Sequence, residues 1–101
     1  MVAPSRHTGD FVSLDRDESS ETHSLTSQAI SALALVYSPQ GFNLGWNLGL
    51  VAGAGIRDHV HQHVVPRWGG DTNFMPVLAD VKVLPEHLLE TARRLRDAWP
   101  D

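Results

Sequence analysis

The chain has 101 residues, of which 42% are hydrophobic and 20% are charged, a balance typical of one modest globular domain. Eight Lys and Arg against twelve Asp and Glu give a formal charge of −4, so no basic excess attracts nucleic acid. The absence of cysteine excludes disulfides and thiolate chemistry. No apolar run is long enough for a membrane span or a signal peptide, so we expect a cytoplasmic protein without nucleic-acid or membrane partners.

The first half of the chain predicts a strand end, a helix and a strand. Residues 1–4 are apolar and close on a proline, which is typical of the end of a strand, and a loop follows. Apolar residues then recur at helical spacing, which predicts a helix from about residue 18 to residue 37. Over residues 41–50 apolar residues alternate with Asn and Gly, the pattern of a half-buried strand whose polar face admits a ligand or another backbone.

The second half predicts one more strand and a final helix. Residues 59–65 predict a strand that Pro66 stops, followed by a turn over residues 68–73. The state of residues 74–84 stays open, and Pro85 is suited to the first position of the last helix. This order predicts an α+β fold whose sheet is short of the three strands that independent stability usually needs. Either a partner supplies further strands, or an N-terminal piece is missing.

Three of the six histidines alternate along the second strand, as His59, His61 and His63 (the histidine row). On a strand they point to one face, about 6.6 Å apart in succession. One metal ion, with bonds near 2 Å, cannot reach all three without distorting the strand, so a metal site needs further ligands from elsewhere. A central imidazole flanked by two others is suited to nucleophilic attack on phosphorus. The plainer alternative is three structural histidines on a polar face.

The surroundings of the histidine row favour a phosphate ligand. The Ala-Gly-Ala-Gly loop before it offers the bare backbone amides of Gly53 and Gly55 to phosphate oxygens. Asn47 lies on the polar face of the preceding strand, where its amide can donate to a phosphate oxygen. Each feature alone is also typical of an ordinary loop or strand edge, and their position beside the row makes them candidates.

The segment His59-Val60-His61-Gln62-His63-Val64-Val65 resembles the signature of the histidine triad (HIT) family, apart from the polar Gln62. Residues 42–49 and 66–74 are similar to its bacterial diadenosine tetraphosphate phosphorylase-like branch, and the resemblance runs from residue 2 to the last helix. It implies a HIT-like antiparallel sheet with two helices. The family's N-terminal helix and hairpin would be missing, so that residues 1–101 form a single partial HIT domain.

The resemblance also implies an activity, a nucleotidyltransferase or hydrolase that acts on a nucleotide or dinucleoside polyphosphate. His61 would be the nucleophile that carries the nucleotidyl group, His59 would orient it, and His63 would contact the phosphate and assist the leaving group. Asn47 matches the family's phosphate-contacting Asn, and His7 matches a histidine that supports the row from outside. The family usually forms homodimers and needs no cofactor or catalytic metal. Inorganic phosphate resolves the intermediate in the phosphorylase branch, and water resolves it in hydrolase branches.

Two departures from the family pattern leave alternatives open. Members usually carry Gln-Ser or Gln-Thr shortly before the row, where this chain has Ala54-Gly55 and one extra residue. Met1 falls inside the strand that the family's hairpin precedes. The chain is thus an enzyme or its catalytic part, or an inert or nucleotide-binding remnant of a HIT protein, with a zinc-binding module as a third hypothesis. The sequence does not select the nucleobase, the phosphate-chain length or the acceptor.

Overall fold

The computed structural model describes residues 1–53, 59–71 and 87–100. Its elements follow in the order 3-10 helix Phe11–Ser13, α1 (Arg16–Tyr37), β1 (Gly41–Trp46), 3-10 helix Leu50–Ala52, β2 (Gln62–Arg67) and α2 (Leu88–Ala98). Within these ranges, no helix combines the length and the apolar character that a membrane crossing requires. The expected α+β fold with two helices and an antiparallel sheet is confirmed. The predictions for Gly55 and for residues 74–84 lie outside the described residues.

A reciprocal pair of hydrogen bonds starts α1. The side chain of Asp15 accepts from the Glu18 backbone N–H at 2.8 Å, and the Glu18 side chain accepts from the Asp15 N–H at 3.0 Å. This capping box satisfies two backbone donors that the first turn leaves without partners. The other end closes at Ser38, which adopts a left-handed φ of 48°. The predicted helix over residues 18–37 is confirmed, and the capping box explains its earlier start at Arg16.

The sheet is antiparallel, with Gly45 of β1 opposite His63 of β2 and Trp46 opposite Gln62. On the other side of β2, Val2 exchanges two backbone hydrogen bonds with Gln62, of 2.9 and 2.7 Å. The predicted strand end at residues 1–4 is therefore present as a single bridge. Leu44, Trp46 and Gln62 line one cavity together with residues of α1, so this face of the sheet is turned toward the helix.

The strand β2 has different ends from those predicted. It runs over Gln62–Arg67, so the predicted start at residue 59 and the predicted stop at Pro66 are both wrong. Successive residues of an antiparallel strand direct their N–H groups to opposite sides, so every second residue shares a side. Gln62 directs its N–H to Val2, away from β1. Pro66, four residues later, lacks its N–H on that same outer side, so the pairing with β1 loses no hydrogen bond.

Two other predicted boundaries are wrong. β1 ends at Trp46, which pairs with the first residue of β2, rather than at residue 50, and Gly49 further along adopts a φ of 82°. The helix α2 begins at Leu88 rather than at Pro85, whose own conformation lies outside the described residues. Here His87 is the N-cap, in an extended conformation, and its ring nitrogen accepts a backbone N–H of the first turn at 3.2 Å. The helix starts after His87 because its side chain satisfies a backbone N–H of the first turn.

The core lies on the inner face of α1. Of the described residues, those that α1 buries are Thr22, Thr26, Ala29 and Ala32. Ala32 is 0% exposed, and Val2 and Val60 are also buried. The helix contacts both β2 and α2. Small side chains on this face let neighbouring elements approach closely, so volume is tightly limited there.

The helix α2 is attached to the C-terminal end of α1. The guanidinium of Arg94 lies 5.0 Å from the centroid of the Tyr37 ring and donates to the carbonyl of Val36 at 3.3 Å. A cation at this position complements the negative end of the α1 dipole and the π face of Tyr37. Trp99 adds a hydrogen bond from its ring N–H to Gln28 at 3.2 Å. This bond is a second link between the C-terminal end of α2 and α1.

We expect Ala32→Leu to lower the free energy of unfolding by about 1–3 kcal/mol, because a fully buried alanine leaves no room for three more carbons. The matched control is Ala34→Leu, at an exposed position of the same helix, with an expected change within about 0.5 kcal/mol. Urea denaturation followed by circular dichroism measures both. Equal stability of the two variants would contradict close packing at Ala32.

Candidate functional site

The histidine row lies at the start of β2 and in the segment just before it. His63 belongs to β2, whereas His59 and His61 precede the strand. The rings of His61 and His63 meet edge to face, with their centroids 4.9 Å apart. Gln62 between them is turned toward α1, so the alternation of a strand places both rings on the opposite face of the sheet. Gln62 therefore points away from the row.

His59 is held by the turn that contains Pro4 and His7. Its Nε2 lies 2.7 Å from the Pro4 carbonyl oxygen. A carbonyl only accepts, so Nε2 carries the hydrogen and the neutral ring keeps its lone pair on Nδ1. The ring of His7 lies against that of His59, with centroids 5.0 Å apart and planes inclined by 43°. The structure thus brings His7, singled out by resemblance alone, into contact with the row.

The ring of His61 is oriented by the backbone of His59. Its Nδ1 lies 3.3 Å from the His59 carbonyl oxygen, a long but direct hydrogen bond. The carbonyl requires a donor, so this contact favours the hydrogen of His61 on Nδ1 and the lone pair on Nε2. The nitrogen that this tautomer equips for nucleophilic attack is therefore Nε2.

Burial and the neighbouring ring both act on His63. Burial lowers the pKa of His63 below its ordinary value, and repulsion from a charged His61 lowers it further. His63 is consequently neutral at pH 7. A neutral imidazole offers one donor and one acceptor, so His63 can donate to an oxygen without adding a positive charge beside His61.

Asn47 and Gly53 come together beside the row. Asn47 directly follows β1, and continuing the register by one pair from Trp46 and Gln62 places it level with His61. A Cβ atom at Gly53 would lie 3.6 Å from the Asn47 side-chain nitrogen, and Gly53 adopts a φ of 88° that disfavours any side chain. Two of the predicted phosphate-binding residues are thus neighbours, and the third, Gly55, lies outside the described residues.

A second polar cluster follows β2 at its far end, and sequence reasoning missed it. Arg67 donates to both carboxylate oxygens of Asp71, at 2.7 and 2.6 Å, and to the Asn43 side-chain oxygen at 2.6 Å. The Arg67 guanidinium, together with the Trp68 N–H, lowers the pKa of Asp71 to about 2. The sequence did carry one signal for this cluster, since Arg67 and Asp71 are opposite charges four residues apart, and a turn is predicted between them. The cluster joins the loop after β2 to β1.

The zinc hypothesis has no complete ligand set in the part of the chain that the structure describes. No three His, Asp or Glu side chains are grouped there to hold a metal ion. Two row nitrogens, His59 Nε2 and His61 Nδ1, are directed at carbonyl oxygens. A metal on the row would have to use the other imidazole nitrogens and ligands from elsewhere.

The hydrogen-bond geometry predicts opposite tautomers for two neighbouring histidines. At about pH 8, where an ordinary imidazole is neutral, we expect His59 to carry its hydrogen on Nε2 and His61 on Nδ1. Long-range ¹H–¹⁵N correlation spectra distinguish the two forms. A hydrogen on His61 Nε2 would show that the His59 carbonyl does not orient this ring.

We expect His63 to titrate below about 6.5, and His61→Gln to raise its pKa because a like charge is removed. Folded His63 binds protons less readily than the unfolded chain does. Its contribution to stability is therefore complete above about pH 6.5 and is lost as pH falls through the lowered pKa. NMR titration of the ring measures the shift, with His23→Gln on the exposed face of α1 as the control. An unchanged pKa in His61→Gln would contradict the repulsion.

Comparison with curated proteins finds a relative that aligns with almost the whole chain. The chain is 43% identical over 99 residues to the AP-4-A phosphorylase of Mycobacterium tuberculosis, an alignment that covers 98% of this chain and 51% of that protein. The chain therefore spans about half the length of the curated relative it matches. No family model matches the chain.

Solved structures show the same fold. A Hit-like protein of Bartonella henselae superposes with a TM-score of 0.73 at 18% identity, covering 95% of this chain and 66% of that one. A zinc-bound histidine triad family protein of Mycobacterium smegmatis superposes with a TM-score of 0.71 at 26% identity, covering 95% and 64%. The alternating histidines, the α+β fold that presents them and these relatives agree, and this chain is a member of the histidine triad family.

Proposed function

We propose that this chain is the catalytic part of an enzyme that cleaves dinucleoside polyphosphates, such as diadenosine tetraphosphate, through a covalent nucleotidyl-histidine. The observation that carries the proposal is the contact of His61 Nδ1 with the His59 carbonyl, since it leaves the lone pair on Nε2. The 43% identity to an AP-4-A phosphorylase supports a dinucleotide substrate. The bridging phosphates of such a substrate supply both the electrophile and the leaving group.

In the first step Nε2 of His61 attacks the α-phosphorus of the bound substrate. A phosphorus–nitrogen bond forms as the bond from the α-phosphorus to the bridging oxygen breaks, and the remaining nucleotide leaves with that oxygen. The ring of His61 becomes positively charged, and its Nδ1–H then donates more strongly to the His59 carbonyl. His63, neutral and 4.9 Å from His61 between centroids, donates its hydrogen to a phosphoryl or bridging oxygen.

In the second step an acceptor oxygen attacks the same phosphorus and His61 leaves with its lone pair restored. With inorganic phosphate as the acceptor, diadenosine tetraphosphate gives ADP and ATP. With water it gives AMP and ATP. We propose phosphate as the acceptor, because the curated relative is a phosphorylase.

Four further residues are assigned supporting roles in this proposal. Asn47 donates its amide N–H to a phosphate oxygen, level with His61 in the strand register. Gly53 lies beside that amide, and its φ of 88° disfavours any side chain at this position. His7 contacts the ring of His59 and limits its rotation. Gly55 keeps the phosphate-binding role that its place in the loop predicts.

The assembly proposed for this enzyme is a homodimer of cytoplasmic protomers that needs no cofactor. The outer edge of β1 has no strand partner among residues 1–53, 59–71 and 87–100, so it can pair with a second copy. Residues 1–101 would be one partial HIT domain. The second candidate function is a nucleotide-binding or inert remnant, favoured by Ala54-Gly55 at the place where family members usually carry Gln-Ser or Gln-Thr.

The test incubates the purified chain with diadenosine tetraphosphate, with and without inorganic phosphate, and resolves the nucleotides by chromatography. We expect ADP and ATP only when phosphate is present, and a covalent AMP adduct by intact mass when it is omitted. His61→Gln should lower turnover by more than about 10³-fold and abolish the adduct, whereas the control His23→Gln should retain both.

Each other outcome has a defined meaning. Turnover that persists in His61→Gln would contradict the nucleophile. Release of AMP and ATP regardless of phosphate would identify water as the acceptor. A folded chain that binds the substrate without cleaving it would establish the remnant.

A further inference from the structure

We propose that Arg6 and Glu18 are positioning residues of the histidine row, because their ion pair anchors the loop whose carbonyls hold His59 and Val60. The structural part of this inference concerns the row itself. Its consequence for turnover rests on the proposed function.

Two hydrogen bonds attach the row to the loop over residues 4–8 (the 4–8 loop). His59 donates from Nε2 to the Pro4 carbonyl at 2.7 Å. The backbone N–H of Val60, the next residue, donates to the Thr8 carbonyl, also at 2.7 Å. The two accepting carbonyls lie on either side of Arg6 in the chain. The position of this loop therefore sets both the ring of His59 and the path of the backbone toward His61.

The side chain of Arg6 fixes the middle of the 4–8 loop to α1. Its Nε donates to Glu18 Oε2 at 2.9 Å and its Nη2 to Glu18 Oε1 at 3.0 Å, a two-pronged contact that restricts both distance and orientation. The same Nη2 also donates to the Ser13 carbonyl at 3.0 Å. Glu18 is itself fixed, because it accepts the Asp15 N–H in the capping box. The loop is thus attached to the start of a helix that is already closed.

The burial of this pair indicates a geometric rather than an energetic role. The Arg6 side chain is 50% exposed and that of Glu18 is 18% exposed. Ion pairs this open to water contribute little to stability. The Arg6 guanidinium lowers the pKa of Glu18, so the carboxylate stays ionised at the pH of any assay near neutrality. A permanent, two-pronged but weakly stabilising contact is suited to hold a loop in place.

The contacts form a continuous series from α1 to the proposed nucleophile. Glu18 holds Arg6, the loop around Arg6 presents the Pro4 carbonyl, that carbonyl orients His59, and the His59 carbonyl orients His61. A shift of the loop moves the acceptor of His59 and, through its backbone, the acceptor of His61. Small misplacements of a nucleophile lower the rate of the chemical step more than they weaken binding.

The test compares Glu18→Gln with Asp97→Asn, which removes the same charge from an exposed ion pair on α2, where Asp97 accepts from Arg93 at 3.1 Å. A glutamine at position 18 can still complete the capping box, so the start of α1 is kept. In Glu18→Gln we expect displaced ¹⁵N signals of His59 and His61, with kcat reduced about 3- to 30-fold and KM changed by less than about twofold. Asp97→Asn should change neither.

Arg6→Lys and Arg6→Ala complete the design. Lysine keeps the charge but cannot make the two-pronged contact, so we expect Arg6→Lys to lie between the original chain and Arg6→Ala in ring signals and in kcat. Melting temperatures are measured alongside, and assays run well below them.

Two results would overturn the inference. One is a set of His59 and His61 ring signals in folded Glu18→Gln and Arg6→Ala that superimpose on those of the original chain. The other is a loss of kcat in Asp97→Asn that equals the loss in Glu18→Gln. If the original chain does not cleave diadenosine tetraphosphate, the proposed function fails, and the ring signals still decide whether Arg6 and Glu18 position the row.

Discussion

The hydrogen bond from His59 Nε2 to the carbonyl of Pro4 connects segments 55 residues apart in the chain, and the geometry of the site depends on it. It sets the tautomer of His59 and fixes the backbone whose next carbonyl contacts His61. The Val60 N–H, bonded to Thr8, prevents the segment from turning about that single contact. A histidine ring can rotate and exchange tautomers in water. Here main-chain carbonyls, which move only with the fold, restrict both freedoms.

The two faces of the sheet divide packing from chemistry. On the face toward α1, Gln62 replaces the apolar residue of the family signature, yet its polarity is satisfied. The hydroxyl of Thr26 lies 2.5 Å from the Gln62 side-chain oxygen and 2.8 Å from the Thr22 carbonyl, so its one hydrogen is shared between them. A half-buried polar side chain such as Gln62 is tolerated when it is hydrogen-bonded. This polar contact lies on the face opposite His61 and His63.

On the face with the row, the surroundings of His63 favour its neutral form. Burial lowers the pKa of His63, and a charged neighbour would lower it further. The guanidiniums of Arg6 and Arg67 are each engaged by a carboxylate. A neutral pair of imidazoles can offer one lone pair to phosphorus and one N–H to an oxygen. This is the combination that the proposed chemistry requires.

Local periodicity in the sequence determined α1 and the existence of two strands, one rich in Gly and Asn and one carrying the histidines. It also determined the opposite orientation of Gln62 and the row. Both features follow from the spacing of apolar and polar residues, with a period of 3.6 residues in a helix and 2 in a strand, which can be read from a local segment alone. The family resemblance added His7, whose contact with His59 has no local signal.

Only the tertiary structure decided the ends of β2, the tautomers of the row, the contact of Asn47 with Gly53 and the anchoring of Arg6 by Glu18. The ends of β2 depend on its pairing with β1. Pro66 is tolerated within β2 because the N–H that it lacks would point away from β1. The tautomers depend on carbonyls that distant residues supply. Such hydrogen bonds form between groups that the folded chain brings together, and their spacing along the sequence follows no rule.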